Sequence, residues 1–333
     1  MRRVLGSLFA QAAALRVAAH RHGWVATARL EGPVVSVGNL SVGGSGKTPV
    51  VRRIAEILRD AGERVAVLSR GYRGRFHGEA LIVSDGSGPL ASAEIAGDEP
   101  VMLARALPRV IVAVGRRRDR VGRAVEERFG RVVHVLDDGF QHLRLARDLD
   151  VVCLDVCDLS DRPLPAGRLR EAPRAIGRAH VVLLTRLEAV SEDELQALEE
   201  RLGRARTHRV SRRVLGFRTL EGRDAPRPDR PFLLAAIARP ERVELDVAAT
   251  GAVVVGRSFF RDHHAFRAGE VESAVARGRA AGADAVVTTA KDAVRLAGLP
   301  TAGLPVLVLE VAAAIEDEAR LAERLFAAVR RTS

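Results

Sequence analysis

The segment Val34–Val51, VVSVGNLSVGGSGKTPVV, constrains the fold of this chain more than any other stretch. An apolar, β-prone run enters a glycine-rich turn, which ends in Gly46-Lys47-Thr48 and passes into a helix with Pro49 in its first turn. Glycines let backbone N–H groups converge on phosphate oxygens without Cβ clashes. The helix N-terminus adds partial positive charge, and a proline there costs no intrahelical hydrogen bond. The expected nucleotide cradle is Ser41, Val42, Gly43, Gly44, Ser45, Gly46, Lys47 and Thr48. Lys47 would reach the β- and γ-phosphates of ATP, and the Thr48 hydroxyl would ligate Mg²⁺. The strict pattern G-x-x-x-x-G-K-[ST] has glycine where this chain has Ser41, so Gly43 and Gly44 are expected to supply the turn. The bland alternative is an ordinary glycine-rich strand–helix turn.

Lysine use favours the first reading. Lysines and arginines total 53, yet only Lys47 and Lys291 are lysine. Where arginine is the default cation, a retained lysine marks a place for a compact ammonium on a flexible stem.

Short Val- and Leu-rich runs alternate with helical patterns downstream. Candidate strands are 33–37, 64–69, 109–114, 132–136, 150–155 and 180–185, with helices at 49–60, 100–107 and 119–129. The pattern predicts an α/β fold of the P-loop NTPase kind, a mostly parallel sheet with helices on both faces that binds ligand at its strands' carboxyl ends. The polar, Pro- and Arg-rich segment 221–231 reads as a linker or hinge. It would divide a first domain, 1–220, from a smaller C-terminal α/β domain, 232–333, that closes the active site. In the latter, strands are expected at 232–237, 252–256, 285–288 and 306–310, and helices near 239–248, 268–281 and 315–330.

At the N-terminus, Val4, Leu5, Leu8, Phe9, Ala12 and Leu15 form a helical stripe among arginines. A signal peptide is the rival, weakened by Gln11, Arg16 and the nucleotide motif just downstream. The helix either lies on an anionic membrane or packs on the core. No run approaches the roughly 18–20 apolar residues of a membrane span. Cys153 and Cys157, in or beside an apolar run, read as buried reduced thiols.

The segment Val132–His142, VVHVLDDGFQH, is an apolar strand ending in paired carboxylates. Asp137 and Asp138 would emerge beside the phosphate loop, where a cation relieves their repulsion and Mg²⁺ is held directly or through water. A simple Asp-Gly turn is the alternative.

These motifs do not stand alone. With SRGYRG (69–74), GDEP (97–100), LPAGRLRE (164–171), DHHAF (262–266) and TTAKDAVRL (288–296), the chain resembles the tetraacyldisaccharide 4'-kinase family, the lipid A 4'-kinases, from its first strand to near residue 296. The resemblance implies transfer of the ATP γ-phosphate to the 4'-hydroxyl of a tetraacyldisaccharide 1-phosphate, with Mg²⁺. The setting is the cytoplasmic face of the inner membrane, with peripheral or monotopic attachment to its anionic surface. It implies Asp98 as general base, assisted by His263 or its neighbour His264. It further implies Asp137, Asp138 and Glu171 on the metal side, and Arg170, Tyr72 and Arg118 toward substrate. Read from the sequence alone, Asp98 is more readily a helix N-cap, Tyr72 equally a solvated loop residue, and Arg118 one choice among Arg116, Arg117, Arg118 and Arg120. Lys291 has no assigned role beyond meeting a phosphate or carboxylate.

The formal charge of +11 also suits a nucleic-acid-directed or GTP-dependent assembly NTPase. Only 4% of residues are aromatic, and no zinc finger, RNP-type motif or guanine-reading N-K-x-D is present. Neither a nucleic acid nor a protein partner is expected.

Overall fold

The computed structural model describes residues 2–43, 46–301 and 303–330. The chain forms two compact units: Met1–Ser211 together with Ala313–Ser333, and Arg212–Ala312.

In the first unit, β1 (Val34–Asn39), β2 (Val65–Ser69), β4 (Ile111–Val114), β5 (Val133–Asp137), β6 (Leu149–Asp155) and β7 (Val181–Thr185) are parallel, and β3 (Leu81–Ser84) pairs antiparallel with β4. The strand order is β7-β6-β1-β5-β2-β4-β3. The parallel strands are buried at every position, so they read as apolar runs rather than alternations, as a sheet covered on both faces requires. The next strand, β8 (Thr207–Thr219), begins parallel to β7. Helices are α1 (Arg2–Arg21), α2 (Lys47–Asp60), the single turn α3 (Ala93–Ala96), α4 (Asp98–Ala106), α5 (Arg118–Phe129) and α6 (Glu192–Leu202). One core layer joins Leu68, Ala113, Val121, Val125 and Leu136; another joins Leu40, Phe140, Leu154, Leu169 and Leu184.

Strand β1 lies between β5 and β6, and the chain leaves it through α2 to reach β2, which is not its neighbour. That skip opens a crevice at the carboxyl ends of β1 and β5, where such sheets bind ligands.

The second unit has β9 (Asp224–Ala225) antiparallel to the far end of β8, then β10 (Pro231–Ala235), β11 (Gly256–Phe259), β12 (Ala285–Thr289) and β13 (Val306–Ile315) in the parallel order β11-β10-β12-β13. Its helices are α7 (Glu241–Ala248), α8 (Ala268–Ala280) and α9 (Ala290–Leu296). The last helix, α10 (Glu318–Arg330), belongs to the first unit, where Glu318 accepts from Arg53 of α2 at 2.7 and 2.5 Å.

These units revise the expected domain boundaries. The segment 221–231 lies inside the second unit rather than between domains, because β8 runs on to Thr219 and turns back through β9. The strand expected at 252–256 forms instead at Gly256–Phe259, paired with Phe232–Ala235 of β10. The helix expected from 315 begins at Glu318 and is not part of the second unit.

Candidate active site

The phosphate loop is held at its entrance. Past Asn39, the chain pairs with the LPAGRLRE segment: Arg170 donates its backbone N–H to Leu40 at 2.7 Å, and Val42 donates to Arg168 at 2.8 Å. Gly38 must be glycine, because a Cβ there would lie 2.5 Å from the Cβ of Phe140. Ser41 is buried, and its hydroxyl donates to Asp158 at 2.6 Å while Asn39 donates to its carbonyl at 2.7 Å. The departure from the strict glycine pattern is thus an anchor. Gly43 (φ 105°) and Gly46 (φ 77°) take conformations that disfavour side chains, so Gly43 does supply part of the turn. Gly44 and Ser45 lie outside the described residues. Helix α2 starts at Lys47, and its N-cap Gly46 offers no side-chain cap, which leaves first-turn N–H groups for an anion. Thr48 is half-buried in that turn.

Lys47 ties the loop to the acidic pair. Its ammonium donates to Asn39 Oδ1 at 3.1 Å and to Asp138 Oδ1 at 2.7 Å. Arg170 donates to the other Asp138 oxygen at 2.7 Å. Burial opposes ionisation of Asp138, but Lys47 and Arg170 together hold its pKa down to about 2. Asp138 has φ 57°, which turns the chain out of β5. Asp137, the last residue of β5, is buried and accepts from the Ser69 hydroxyl at 3.0 Å. Burial, then the charge of Glu99, push its pKa well above the usual carboxylate range, against the pull of Lys47. A buried carboxylate facing two other acids is a place for a cation, so Asp137 and Thr48 fit Mg²⁺ beside bound phosphates. Glu171 fits that role less directly: Arg178 takes both its oxygens, at 2.6 and 2.9 Å, and Gln141 donates to one at 3.1 Å.

Arg118 is the buried member of its arginine run. Arg117 pairs with Asp119 and Arg120 with Glu79, whereas Arg118 opens α5, donates through Nη1 to the Arg116 carbonyl at 3.1 Å, and has an Nε without a hydrogen-bond partner among the described residues. Burial lowers its pKa, and the charges of Asp138 and Asp137 pull it back up, which places it by the acidic pair. A buried, under-satisfied guanidinium at a strand's carboxyl end suits an anionic ligand.

Asp98 is the first residue of α4, after Gly97 at φ 93°. The turn is tight: a Cβ on Gly97 would lie 2.7 Å from the Tyr72 carbonyl, and one on Gly74 would lie 2.4 Å from that of Ile95. The SRGYRG loop is therefore packed on the start of GDEP. Tyr72 is 60% exposed, with the Arg73 guanidinium 5.7 Å from its ring centre.

In the second unit, the two adjacent histidines differ. His264 bonds Glu270 at 2.8 Å and stacks on Phe260 at 4.6 Å, so packing accounts for it. His263 (φ 62°) instead meets Lys291 at 3.0 Å, and Lys291 also donates to Asp262 at 3.0 Å.

Sequence reasoning missed Asn39, Gln141, Arg178 and Asp158. Gln141 donates to the Asn39 carbonyl at 3.0 Å and receives from Arg170 at 3.4 Å, so it joins loop, acidic pair and Glu171. Its place in the LDDGFQH motif was the available signal. Asp158 and Arg178 lie in 3-10 turns whose sequence carries none.

Fold and site together define a P-loop phosphotransferase. A family model described as Tetraacyldisaccharide-1-P 4'-kinase matches residues 2–330. The chain is 44% identical over 299 residues to the tetraacyldisaccharide 4'-kinase of Anaeromyxobacter dehalogenans (strain 2CP-C), covering 86% of this chain and 79% of that protein. It is 43% identical over 336 residues to the enzyme of the same name from Anaeromyxobacter sp. (strain Fw109-5), covering 97% and 90%. The crystal structure of the "apo" form of LpxK from Aquifex aeolicus in complex with ATP is similar, with a TM-score of 0.79 and 29% identity over 98% of this chain and 97% of that one. This chain belongs to the tetraacyldisaccharide-1-phosphate 4'-kinase family.

Proposed function

We propose that this chain transfers the γ-phosphate of ATP to the 4'-hydroxyl of a tetraacyldisaccharide 1-phosphate at the cytoplasmic face of the inner membrane. The observation that carries the reading is the Lys47–Asp138–Arg170 chain at the carboxyl ends of β1 and β5, in a chain matched end to end by this family. The 4'-oxygen attacks the γ-phosphorus, the bond to the β-phosphate oxygen breaks, ADP leaves, and the hydroxyl proton passes to Asp98. The family resemblance assigns His263 a part in that step, since an alcohol must lose its proton as it attacks. Lys47 and the first turn of α2 hold the β- and γ-phosphates, and Arg170 and Arg118 meet anionic oxygens. Mg²⁺ held by Thr48 and Asp137 would neutralise charge on the β- and γ-oxygens. Asp138 holds Lys47 and Arg170 in place, and Glu171 holds Gln141 and Arg178.

The acyl chains and the membrane belong to α1. Large apolar residues on this helix face solvent: Val4, Leu5, Leu8, Phe9 and Leu15 are 40–70% exposed. Its small residues Ala10, Ala13, Ala14 and Val17 line a cavity of about 610 Å³ that reaches Glu171 and Arg178. No helix among the described residues is long and apolar enough to cross a membrane, so attachment would be peripheral or monotopic. The test is ATP turnover in mixed micelles. The disaccharide 1-phosphate should be converted to a bisphosphate, while DNA and RNA leave the basal rate unchanged. Stimulation by nucleic acid without lipid phosphorylation would favour an NTPase of another class.

A further inference from the structure

Asn39 ends β1 between β5 and β6, and it is fully buried. Asparagine is a poor strand former, and a buried amide is costly unless its polar groups are bonded. Here both ends of the amide are bonded. Nδ2 donates to the Ser41 carbonyl at 2.7 Å and lies 3.4 Å from the Ser41 hydroxyl oxygen, while Oδ1 accepts from the Lys47 ammonium at 3.1 Å. The reverse orientation would set an N–H₂ group against the ammonium and an oxygen against the carbonyl, so chemistry fixes the amide one way round. The backbone carbonyl of Asn39 accepts from Gln141 at 3.0 Å.

Lys47 is thus held by two different kinds of oxygen. Asp138 is charged and is shared by Lys47 and Arg170, each at 2.7 Å; Asn39 is neutral. An ammonium has three N–H donors. Asn39 and Asp138 take two, and the third has no partner among the described residues. An amide oxygen fixes the direction of the ammonium without cancelling its charge, and that charge is what a phosphate oxygen attracts. The far end of the amide is itself anchored. The Ser41 hydroxyl donates to Asp158 at 2.6 Å, and Arg168 donates to the other Asp158 oxygen at 3.3 Å.

We propose that Asn39 is a positioning residue that aims the Lys47 ammonium at the phosphates and leaves its charge undiminished. The inference rests on the reading of Lys47 as the cation that meets the β- and γ-phosphates. It divides the two contacts of Lys47 by function: the carboxylate of Asp138 balances charge, and the amide of Asn39 sets direction. Aspartate has the same shape as asparagine but would be the wrong residue here. It would add a second carboxylate beside the phosphates and set an acceptor against the Ser41 carbonyl.

The test uses the full chain labelled with ¹³C,¹⁵N-lysine. Lys47 and Lys291 are the only lysines, so each side chain gives its own signals, and Lys291→Arg assigns them. In the wild type, the Lys47 Cε protons should be inequivalent, as in a side chain held in one place. Asn39→Ala should draw them toward the averaged signal of a mobile lysine and lower kcat roughly 10- to 100-fold, the scale of an ångström's misplacement, with the ATP KM within about twofold. The isosteric Asn39→Asp should keep Lys47 restrained, yet lower kcat and raise the ATP KM, because its charge opposes the phosphates; it serves if Asn39→Ala fails to fold. A freely moving Lys47 side chain in the wild type overturns the inference. So does an Asn39→Ala protein whose Lys47 signals or kcat stay unchanged, and so does an Asn39→Asp protein with wild-type kcat and ATP KM. If Lys47→Ala retains full kcat, the reading of Lys47 itself fails, and the catalytic role of Asn39 fails with it.

Discussion

The Ser41 hydroxyl donates a 2.6 Å hydrogen bond to Asp158, 117 residues further along the chain, and both side chains are buried. Ser41→Gly would restore the strict phosphate-loop pattern and yet should damage the site. The loop entrance loses its anchor, and Asp158, whose pKa burial already raises, loses a donor. A buried acceptor left unsatisfied costs about 1–3 kcal/mol. We expect a lower Tm and an ATP KM raised several-fold. A variant with both unchanged would show that the loop holds its shape without this bond.

Lys47 should tolerate neither alanine nor arginine. It makes two contacts at once, to Asn39 at 3.1 Å and Asp138 at 2.7 Å, at the edge of a glycine-lined turn. Lys47→Ala should abolish transfer and leave the fold intact. Lys47→Arg should lower kcat by two orders of magnitude or so, because a planar fork cannot take the place of a point charge there. Single-turnover rates on both variants, with circular dichroism as control, decide it; a near-normal Arg variant would remove Lys47 from the phosphates.

Much of this was legible in the sequence for physical reasons. Buried parallel strands must be short apolar runs, so β1, β2, β5, β6 and β7 announce themselves, and glycine-rich turns announce α2. Asp137 and Asp138 follow from their place at the end of such a run. Contacts between distant segments were not legible. Nothing near Ser41 points to Asp158, because the pair meets only through the fold. The two-residue strand β9 was invisible because its partner lies in β8, and the segment reads as linker by composition. Lys291 stood out by rarity, but its partner His263 became clear only once His264 was seen to belong to Glu270 and Phe260.

Asp137 trades stability for function. Burial and the neighbouring acids raise its pKa, so the folded state holds a proton there more tightly than the unfolded chain does. The sign follows: Asp137 lowers stability as pH rises from the ordinary carboxylate value through its raised folded value, and the loss is complete above that. Asp137→Asn should therefore raise Tm at neutral pH, with each kcal/mol regained worth roughly 2–4 °C, and the gain should vanish near pH 4. The same variant should lose activity, and Mg²⁺ with ATP should raise its Tm less than that of the wild type. Thermal melts at pH 4 and 7.5 test both halves; an equal gain at the two pH values would contradict the electrostatic account.

The outward face of α1 should bind anionic membrane. Leu8 is 56% exposed and Phe9 40% exposed, so Leu8→Asp with Phe9→Asp should scarcely alter the fold. Sedimentation with vesicles rich in anionic lipid should fall sharply, since apolar insertion is lost and two negative charges are added. Activity on lipid in vesicles should fall with it, while the ATP KM stays constant. Unchanged sedimentation at equal folded fraction would leave α1 as a packing helix only.

Replacing Asp98 or His263 should lower kcat, and the double variant tells whether the two effects are linked. Asp98 is the first residue of α4. A carboxylate is a weak base toward a sugar hydroxyl, so its orientation decides how well it accepts the proton. Asp98→Ala should lower kcat by roughly 10²- to 10⁴-fold, the range for general-base loss, with little change in the ATP KM. His263→Ala should lower kcat less. If the histidine acts only by orienting the carboxylate, the double variant should be no worse than Asp98→Ala, because the histidine has nothing left to orient. If it also accepts the proton, the double variant should fall further, though by less than the sum of the two effects. Measured kcat values for the two single variants and the double variant distinguish these outcomes. Strict additivity in log kcat would mean two independent groups, and the pairing of Asp98 with His263 would have to be abandoned.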